Sequence, residues 1–87
     1  MTQNLPGQDD LPLTLDSIPF GMRARVLNVM GSGIGALRLM EMGLVPGAPV
    51  SVIRSAPLGD PIQVRLRDYY LALRRVEARL ISVIVAD

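Results

Sequence analysis

The chain alternates between short apolar segments and clusters of turn-forming residues. From Met22 to Met30 the apolar positions alternate at first, which predicts a strand with Ala24 and Val26 on one side and Arg23 and Arg25 on the other. Further short apolar segments follow at 50–54, 62–67, 70–73 and 80–85. Because glycine, proline or aspartate separates these segments, the pattern predicts five to six short strands joined by tight turns.

One helix and one helical turn are predicted between these strands. Residues 36–42 are good helix formers and Gly43 is a natural C-terminal cap, so the helix is expected at about 34–43. We interpret the preceding glycine-rich segment as a connection, with Ser32 near the N-cap, because no lysine supports a phosphate-binding loop. A single helical turn is predicted near 74–78.

Strands this short are typical of a small closed or nearly closed antiparallel barrel, whereas a ferredoxin-like sandwich would need two long helices. We expect a mainly β fold with one barrel domain at 12–87, preceded by a flexible tail at 1–11. The predicted inward-facing residues are Ala24, Val26, Val50, Val52, Ile62, Val64, Leu66, Leu71, Leu73, Ile81, Val83 and Val85.

Composition narrows the chemistry available to the chain. Of its 87 residues, 49% are hydrophobic, and the sequence contains no cysteine, histidine or lysine. Disulfides, thiolate zinc sites, Ser/His and Cys/His dyads and Schiff-base chemistry are therefore excluded, so we expect neither an enzyme nor a cofactor. The net charge of +1 is too small to predict nucleic-acid binding.

The first residues show no basic segment followed by an apolar one, and no apolar run approaches the roughly 18 residues of a membrane-spanning helix. We expect a cytoplasmic protein that reaches a membrane only through a partner. Carboxylates are its only strong metal ligands, which makes Asp60 and Glu41 weak candidates for Fe²⁺ or Mg²⁺. Asp60, between glycine and proline, is better explained as a turn former bonded to nearby backbone amides.

The predicted helix carries apolar residues on two faces. Leu39 and Met42 lie on one side, whereas Leu37 and Met40 lie roughly opposite, so one buried face cannot hold all four. The second face needs a cover, either a partner or a second copy of the chain. Leucines near the N-terminus are the remaining alternative, namely Leu5, Leu11 and Leu13.

Another candidate surface is the loop Ser55–Pro61, in which two prolines stiffen the chain around Leu58. We expect partner contacts from Leu37, Met40 and Leu58, with Arg38 as a polar anchor. Five arginines in the second half of the chain offer either a solvated face or one basic surface for an acidic partner or phosphate. These are Arg65, Arg67, Arg74, Arg75 and Arg79.

The order of motifs resembles a known family. Residues 37–83 are LRLMEMGLVPGAPVSVIRSAPLGDPIQVRLRDYYLALRRVEARLISV. This segment is similar to the FeoA family of small cytoplasmic proteins associated with bacterial ferrous iron uptake. The shared features are a helix ending in Met-Gly-Leu, a Pro-Gly turn, a valine strand, the APLGDPI loop and LALR followed by Glu-Ala. With similar upstream segments around Leu13–Leu15 and Phe20–Val26, the resemblance covers residues 13–85.

The resemblance implies an SH3-like barrel that acts as an accessory to FeoB, the membrane iron permease with a cytoplasmic G-protein domain. It would regulate or stabilise that transporter by docking on its cytoplasmic face. A similar domain also ends the chain of some iron-dependent repressors. The alternative is therefore a ligand- or metal-responsive regulatory domain that acts through self-association.

Overall fold

The computed structural model describes residues 13–86, and the tail predicted at 1–11 lies outside the described residues. Six antiparallel strands form one sheet in the order β1-β6-β2-β3-β4-β5. The strands are β1 (Leu13–Thr14), β2 (Arg23–Val29), β3 (Pro49–Ser55), β4 (Ile62–Leu66), β5 (Tyr69–Leu73) and β6 (Ile81–Val85). The helices are α1 (Ile34–Glu41), α2 (Arg75–Ala78) and a 3-10 helix at Leu15–Ser17. The predicted mainly β fold is confirmed.

The sheet curves around a single hydrophobic core. Its edge strands are β1 and β5, and no ladder joins them within residues 13–86, so the barrel is open along one side. Strands β2 to β6, α1, α2 and the 3-10 helix all bury side chains in the same cluster. Five strands of one sheet can contribute to the same core only if the sheet bends around it. The architecture is therefore a nearly closed barrel.

Strand register explains which side chains reach the core. Across the sheet, Ala24 pairs with Val50, and Val50 pairs with Leu66. All three side chains are at most 3% exposed. Because successive side chains of a strand point to opposite faces, Arg23 and Arg25 lie on the outer face, as the alternation predicts.

One of the predicted inward-facing residues differs in the structure. Val85 is 42% exposed, whereas Leu71 is half-buried and packs against the core. Val85 pairs with Ala24, but β1 pairs with β6 only at Ser82 and Val83. Within the described chain, the end of β6 therefore has a neighbouring strand on one edge only, and the prediction that Val85 belongs to the core is wrong.

Helix α1, Ile34–Glu41, begins and ends close to the predicted bounds. Gly43 follows the C-cap residue Met42 with a φ of 107°, a left-handed conformation that favours glycine. At the other end the N-cap is Gly33, and no side chain caps the first turn. Ser32 therefore lies next to the N-cap, as predicted, without being the N-cap residue itself.

Candidate interaction surface

Helix α1 buries one face and exposes another. Ala36 and Leu39 are 4% and 2% exposed and pack into the barrel. Ile34, Leu37 and Met40 are 77%, 53% and 38% exposed, and they recur every third residue. Because residues three apart are neighbours on a helix, these side chains form one apolar row, the α1 stripe. The predicted division of the helix into two apolar faces is confirmed.

The predicted partner residues do not include Ile34, the most exposed member of this stripe. Ile34 is the first residue of α1, directly after the glycine-rich connection. The signal was present in the sequence, since Ile34 precedes Leu37 by the same three residues that separate Leu37 from Met40. Arg38, the predicted polar anchor, is an exposed residue of the same helix. It follows Leu37 and lies one turn beyond Ile34.

Residues 13–86 leave the α1 stripe largely open to solvent. Leu13, one of the possible covers, lies in β1 and pairs with Val83 of β6. It is itself 42% exposed. Leu5 and Leu11 lie outside the described residues. The surface is thus available to a partner in the part of the chain that the structure describes.

Leu58 occupies the exposed tip of the loop between β3 and β4. Its side chain is 97% exposed, as predicted. Backbone hydrogen bonds hold the loop on both sides of this tip: the Ala56 amide donates to the Pro61 carbonyl at 2.9 Å, and the Gly59 amide donates to the Ala56 carbonyl at 2.7 Å. Leu58 is therefore presented by a fixed turn.

The α1 stripe and Leu58 do not form one surface. The chain leaves the C-terminal end of α1 beside Tyr69, which pairs with Leu66 at the far end of β4. The loop that carries Leu58 enters β4 at its other end, where Ile62 pairs with Ser55. The four candidate partner residues consequently divide into three on α1 and one on a separate loop.

Asp60 has a structural partner in α2. Its carboxylate Oδ1 accepts a hydrogen bond of 3.0 Å from the backbone amide of Arg75, the first residue of α2. The prediction that this carboxylate bonds a backbone amide is confirmed, but the amide lies 15 residues away rather than in the same turn. Glu41 is on α1, and residues 13–86 contain no cluster of three or more acidic, histidine or cysteine residues suited to a metal ion.

Arg75 connects three segments next to Asp60. Its Nε donates to the Gly59 carbonyl at 2.5 Å, and its Nη1 donates to the Asp16 carbonyl at 3.2 Å. The loop after β3, the 3-10 helix and α2 are thereby joined at one guanidinium. Arg75 is thus part of the framework of the barrel rather than of a free basic surface.

The structure divides the predicted basic surface. Arg74 and Arg79 lie at the ends of α2 and pair with Glu77 at 3.8 Å and Asp16 at 3.4 Å. Arg65 and Arg67 instead line an open groove on the outer face of the sheet, together with Arg23. Strand β5 separates the two groups along the chain, so the five arginines do not form the single surface that sequence proximity suggested.

Comparison with known proteins places this geometry in a family. The FeoA domain matches residues 13–85. The chain is 38% identical over 71 residues to an Fe(2+) transport protein A/Fe(2+) transporter FeoB fusion protein of Porphyromonas gingivalis. That alignment covers 82% of this chain and 8% of the much longer fusion protein. No helix among residues 13–86 is long and apolar enough to cross a membrane.

Solved structures agree with the family match. The solution structure of iron(II) transport protein A from Clostridium thermocellum has a TM-score of 0.80 and 36% identity, covering 85% of this chain and 46% of that one. FeoA of Stenotrophomonas maltophilia, crystallised with zinc and described as an SH3 domain protein, has a TM-score of 0.72 and 31% identity over 85% and 89% of the two chains.

A more distant likeness shows the fold alone. A manganese-dependent transcriptional repressor has a TM-score of 0.77 at 16% identity, and this chain covers 38% of its length. The SH3-like barrel is thus shared with metal-dependent regulators, whereas the sequence similarity is with iron transport proteins. On the family match and these relatives together, the chain belongs to the FeoA domain family.

Proposed function

We propose that this protein is a non-enzymatic cytoplasmic interaction module of ferrous iron uptake that binds the cytoplasmic part of a FeoB-type transporter and regulates or stabilises it. The observation that carries the proposal is the α1 stripe, three exposed apolar side chains in a row on a helix whose other face is packed into the barrel. Such a face fits an apolar groove of a partner protein.

The stripe has the chemistry of a docking surface. When a partner removes exposed apolar side chains from water, the complex is stabilised by about 25 cal/mol per Å² of apolar surface buried. Met40 adds an unbranched and polarisable side chain that adapts to the shape of a partner surface. Arg38, beside the stripe, offers a charged hydrogen-bond donor that would orient the complex.

The fusion relative supports the identity of the partner. In the Porphyromonas gingivalis protein, the segment similar to this chain shares one polypeptide with an Fe(2+) transporter FeoB. A covalent link keeps two modules at high effective concentration, which suits domains that work in contact. We infer that this chain associates in the same way with a FeoB-type transporter that is a separate polypeptide.

Calorimetric titration into the soluble G-protein domain of the cognate transporter, with and without GTP and at two salt concentrations, tests the proposal. We expect saturable binding that Met40→Asp weakens at least tenfold, because a carboxylate would be buried in an apolar interface. Val76→Asp is the matched control, since Val76 is 56% exposed on α2, away from the stripe. Thermal unfolding of each variant verifies that the barrel is intact.

The remaining outcomes distinguish the alternatives. If Leu58→Asp abolishes binding while Met40→Asp leaves it unchanged, the loop rather than the α1 stripe contacts the transporter. If the free protein is a dimer that Met40→Asp converts to a monomer, the stripe serves self-association, and absence of binding to the G-protein domain would then overturn the proposed docking.

A further inference from the structure

The outer face of the sheet carries a groove edged by arginines, the arginine groove. It has a volume of about 470 Å³ and opens to solvent along its length. Its lining includes Arg23, Arg65 and Arg67 together with Pro49, Ser51 and Ile53. The groove lies over β3, and none of the residues of the α1 stripe lines it.

Strand register builds the groove. Arg23 of β2 pairs with Ser51 of β3, and Ser51 pairs with Arg65 of β4, so the three residues form one row across the sheet. The two arginines are thus two strands apart, about 10 Å between Cα atoms at about 4.8 Å per strand. Because Ser51 between them is small, it forms a low floor with a long cationic side chain on each side.

Two hydrogen bonds hold Arg67, the third arginine of the groove, next to β3 and Arg65. The Arg67 amide donates a hydrogen bond of 3.2 Å to the Pro49 carbonyl, which holds the turn after β4 against the start of β3. The Arg65 Nε donates to the Arg67 carbonyl at 3.2 Å, and this contact uses one of several N–H donors of the guanidinium. Arg65 is thereby restrained while most of its donors stay available.

The groove has a charge that residues 13–86 do not balance. The two ion pairs within 4 Å among these residues involve Arg74 and Arg79, neither of which lines the groove. The guanidinium groups that line the groove carry like charges and repel one another across it. An anionic occupant would relieve that repulsion, and bidentate contacts with carboxylates suit arginine better than lysine.

We propose that the arginine groove binds an extended acidic segment of a partner protein. In an extended peptide, side chains at positions i and i+2 share one face about 6.8 Å apart, so acidic residues at alternate positions would both face the groove. Ile53, 36% exposed, adds an apolar contact at the opposite end of the groove. The segment that fits has two acidic residues and one apolar residue at alternate positions.

The lining favours a peptide over a nucleic acid. No aromatic side chain is among the groove residues, so unstacked bases would find no surface on which to stack. The net charge of +1 also lacks the basic excess of a nucleic-acid-binding domain. This proposal does not depend on which protein the α1 stripe binds.

The test is a titration monitored by amide NMR shifts of the full chain. The probe is an acetylated peptide containing Glu-Thr-Glu-Thr-Val, and its counterpart with glutamine at both acidic positions is the matched control. We expect the glutamate peptide to shift the amides of Ser51, Arg65 and their neighbours and to bind more weakly as salt rises. Arg23→Gln should weaken its binding about tenfold, through loss of a charge-assisted contact.

Arg74→Gln removes the same charge from an exposed residue outside the groove and should change the affinity less than twofold. Equal weakening by Arg23→Gln and Arg74→Gln would show a general charge effect and overturn the proposal. Equal binding of the glutamate and glutamine peptides would do the same. If inorganic phosphate or a thymidine oligonucleotide shifts the groove amides while the glutamate peptide does not, the groove is a phosphate site and the proposal is wrong.

Discussion

The Tyr69 hydroxyl donates a hydrogen bond of 2.5 Å to the backbone carbonyl of Met42, the residue that caps the C-terminal end of α1. The last carbonyls of a helix have no partner within the helix, so this bond satisfies one of them. It also ties the start of β5 to the helix. The position of the α1 stripe relative to the barrel therefore depends in part on one side chain from a distant strand.

Tyr69→Phe should remove this contact and keep the aromatic ring. We expect a loss of about 1 kcal/mol in the free energy of unfolding, because water can replace the hydroxyl at a residue that is 42% exposed. Denaturant unfolding measures the change. Tyr70→Phe is the control: Tyr70 is 58% exposed and its hydroxyl has no partner among residues 13–86, so its stability should be unchanged. Equal effects of both variants would contradict this role of Tyr69.

Gly43→Ala should destabilise the barrel more than Tyr69→Phe does. The residue has a φ of 107°, and an added Cβ would lie 2.6 Å from the Tyr69 hydroxyl and 3.1 Å from Leu66 Cδ2. Backbone strain and steric overlap together are expected to cost about 2 to 4 kcal/mol in the free energy of unfolding. Thermal and urea unfolding would show a lower midpoint with the same cooperativity.

A double variant and a second glycine make this prediction specific. Adding Tyr69→Phe to Gly43→Ala removes the closest atom, so the combined loss should be smaller than the sum of the single losses. Gly35→Ala serves as the matched control, since Gly35 lies in α1 with no atom within 4 Å of an added Cβ. It should stabilise the protein by about 0.5 kcal/mol. If Gly35→Ala also destabilises the protein, then α1 is sensitive to an added methyl group in general and the effect is not specific to Gly43.

Arg75→Met should loosen the loop that presents Leu58. The substitution keeps most of the aliphatic stem and loses the two bonds to the Gly59 and Asp16 carbonyls. We expect a loss of about 2 kcal/mol in the free energy of unfolding and faster amide hydrogen exchange in residues 56–61. Arg74→Met is the control, since its one ion pair is 3.8 Å long and its side chain is 72% exposed. Unchanged exchange in the Arg75 variant would show that the loop holds its own conformation.

Local pattern was sufficient to predict most of the fold. Alternation in Arg23–Val26 and the apolar segments after it identified the strands because each strand buries one face against a single core. The helix and its C-terminal glycine followed from residue type, since a left-handed C-terminal cap favours glycine. The exposure of Val85 could not be predicted this way, because it depends on how far β1 extends beside β6.

The candidate surfaces show the same division between local and distant effects. The exposed face of α1 follows from helical geometry, so Leu37 and Met40 were identified from spacing alone. The grouping of Arg23 with Arg65 depends on the register of β2, β3 and β4, which no short window of sequence contains. The roles of Asp60 and Arg75 likewise depend on a contact between a loop and a helix 15 residues apart.

The strand order has a consequence for how the chain folds. Strands β3, β4 and β5 are consecutive neighbours and can form early, because each pairs with the next through a short connection. Strand β2 can pair with β3 on one edge, but its other edge must wait for β6, since Val26 pairs with Val83 across most of the described chain. During synthesis the nascent protein would therefore expose the open edge of β2 until β6 has left the ribosome, and a chaperone would be most useful in that interval.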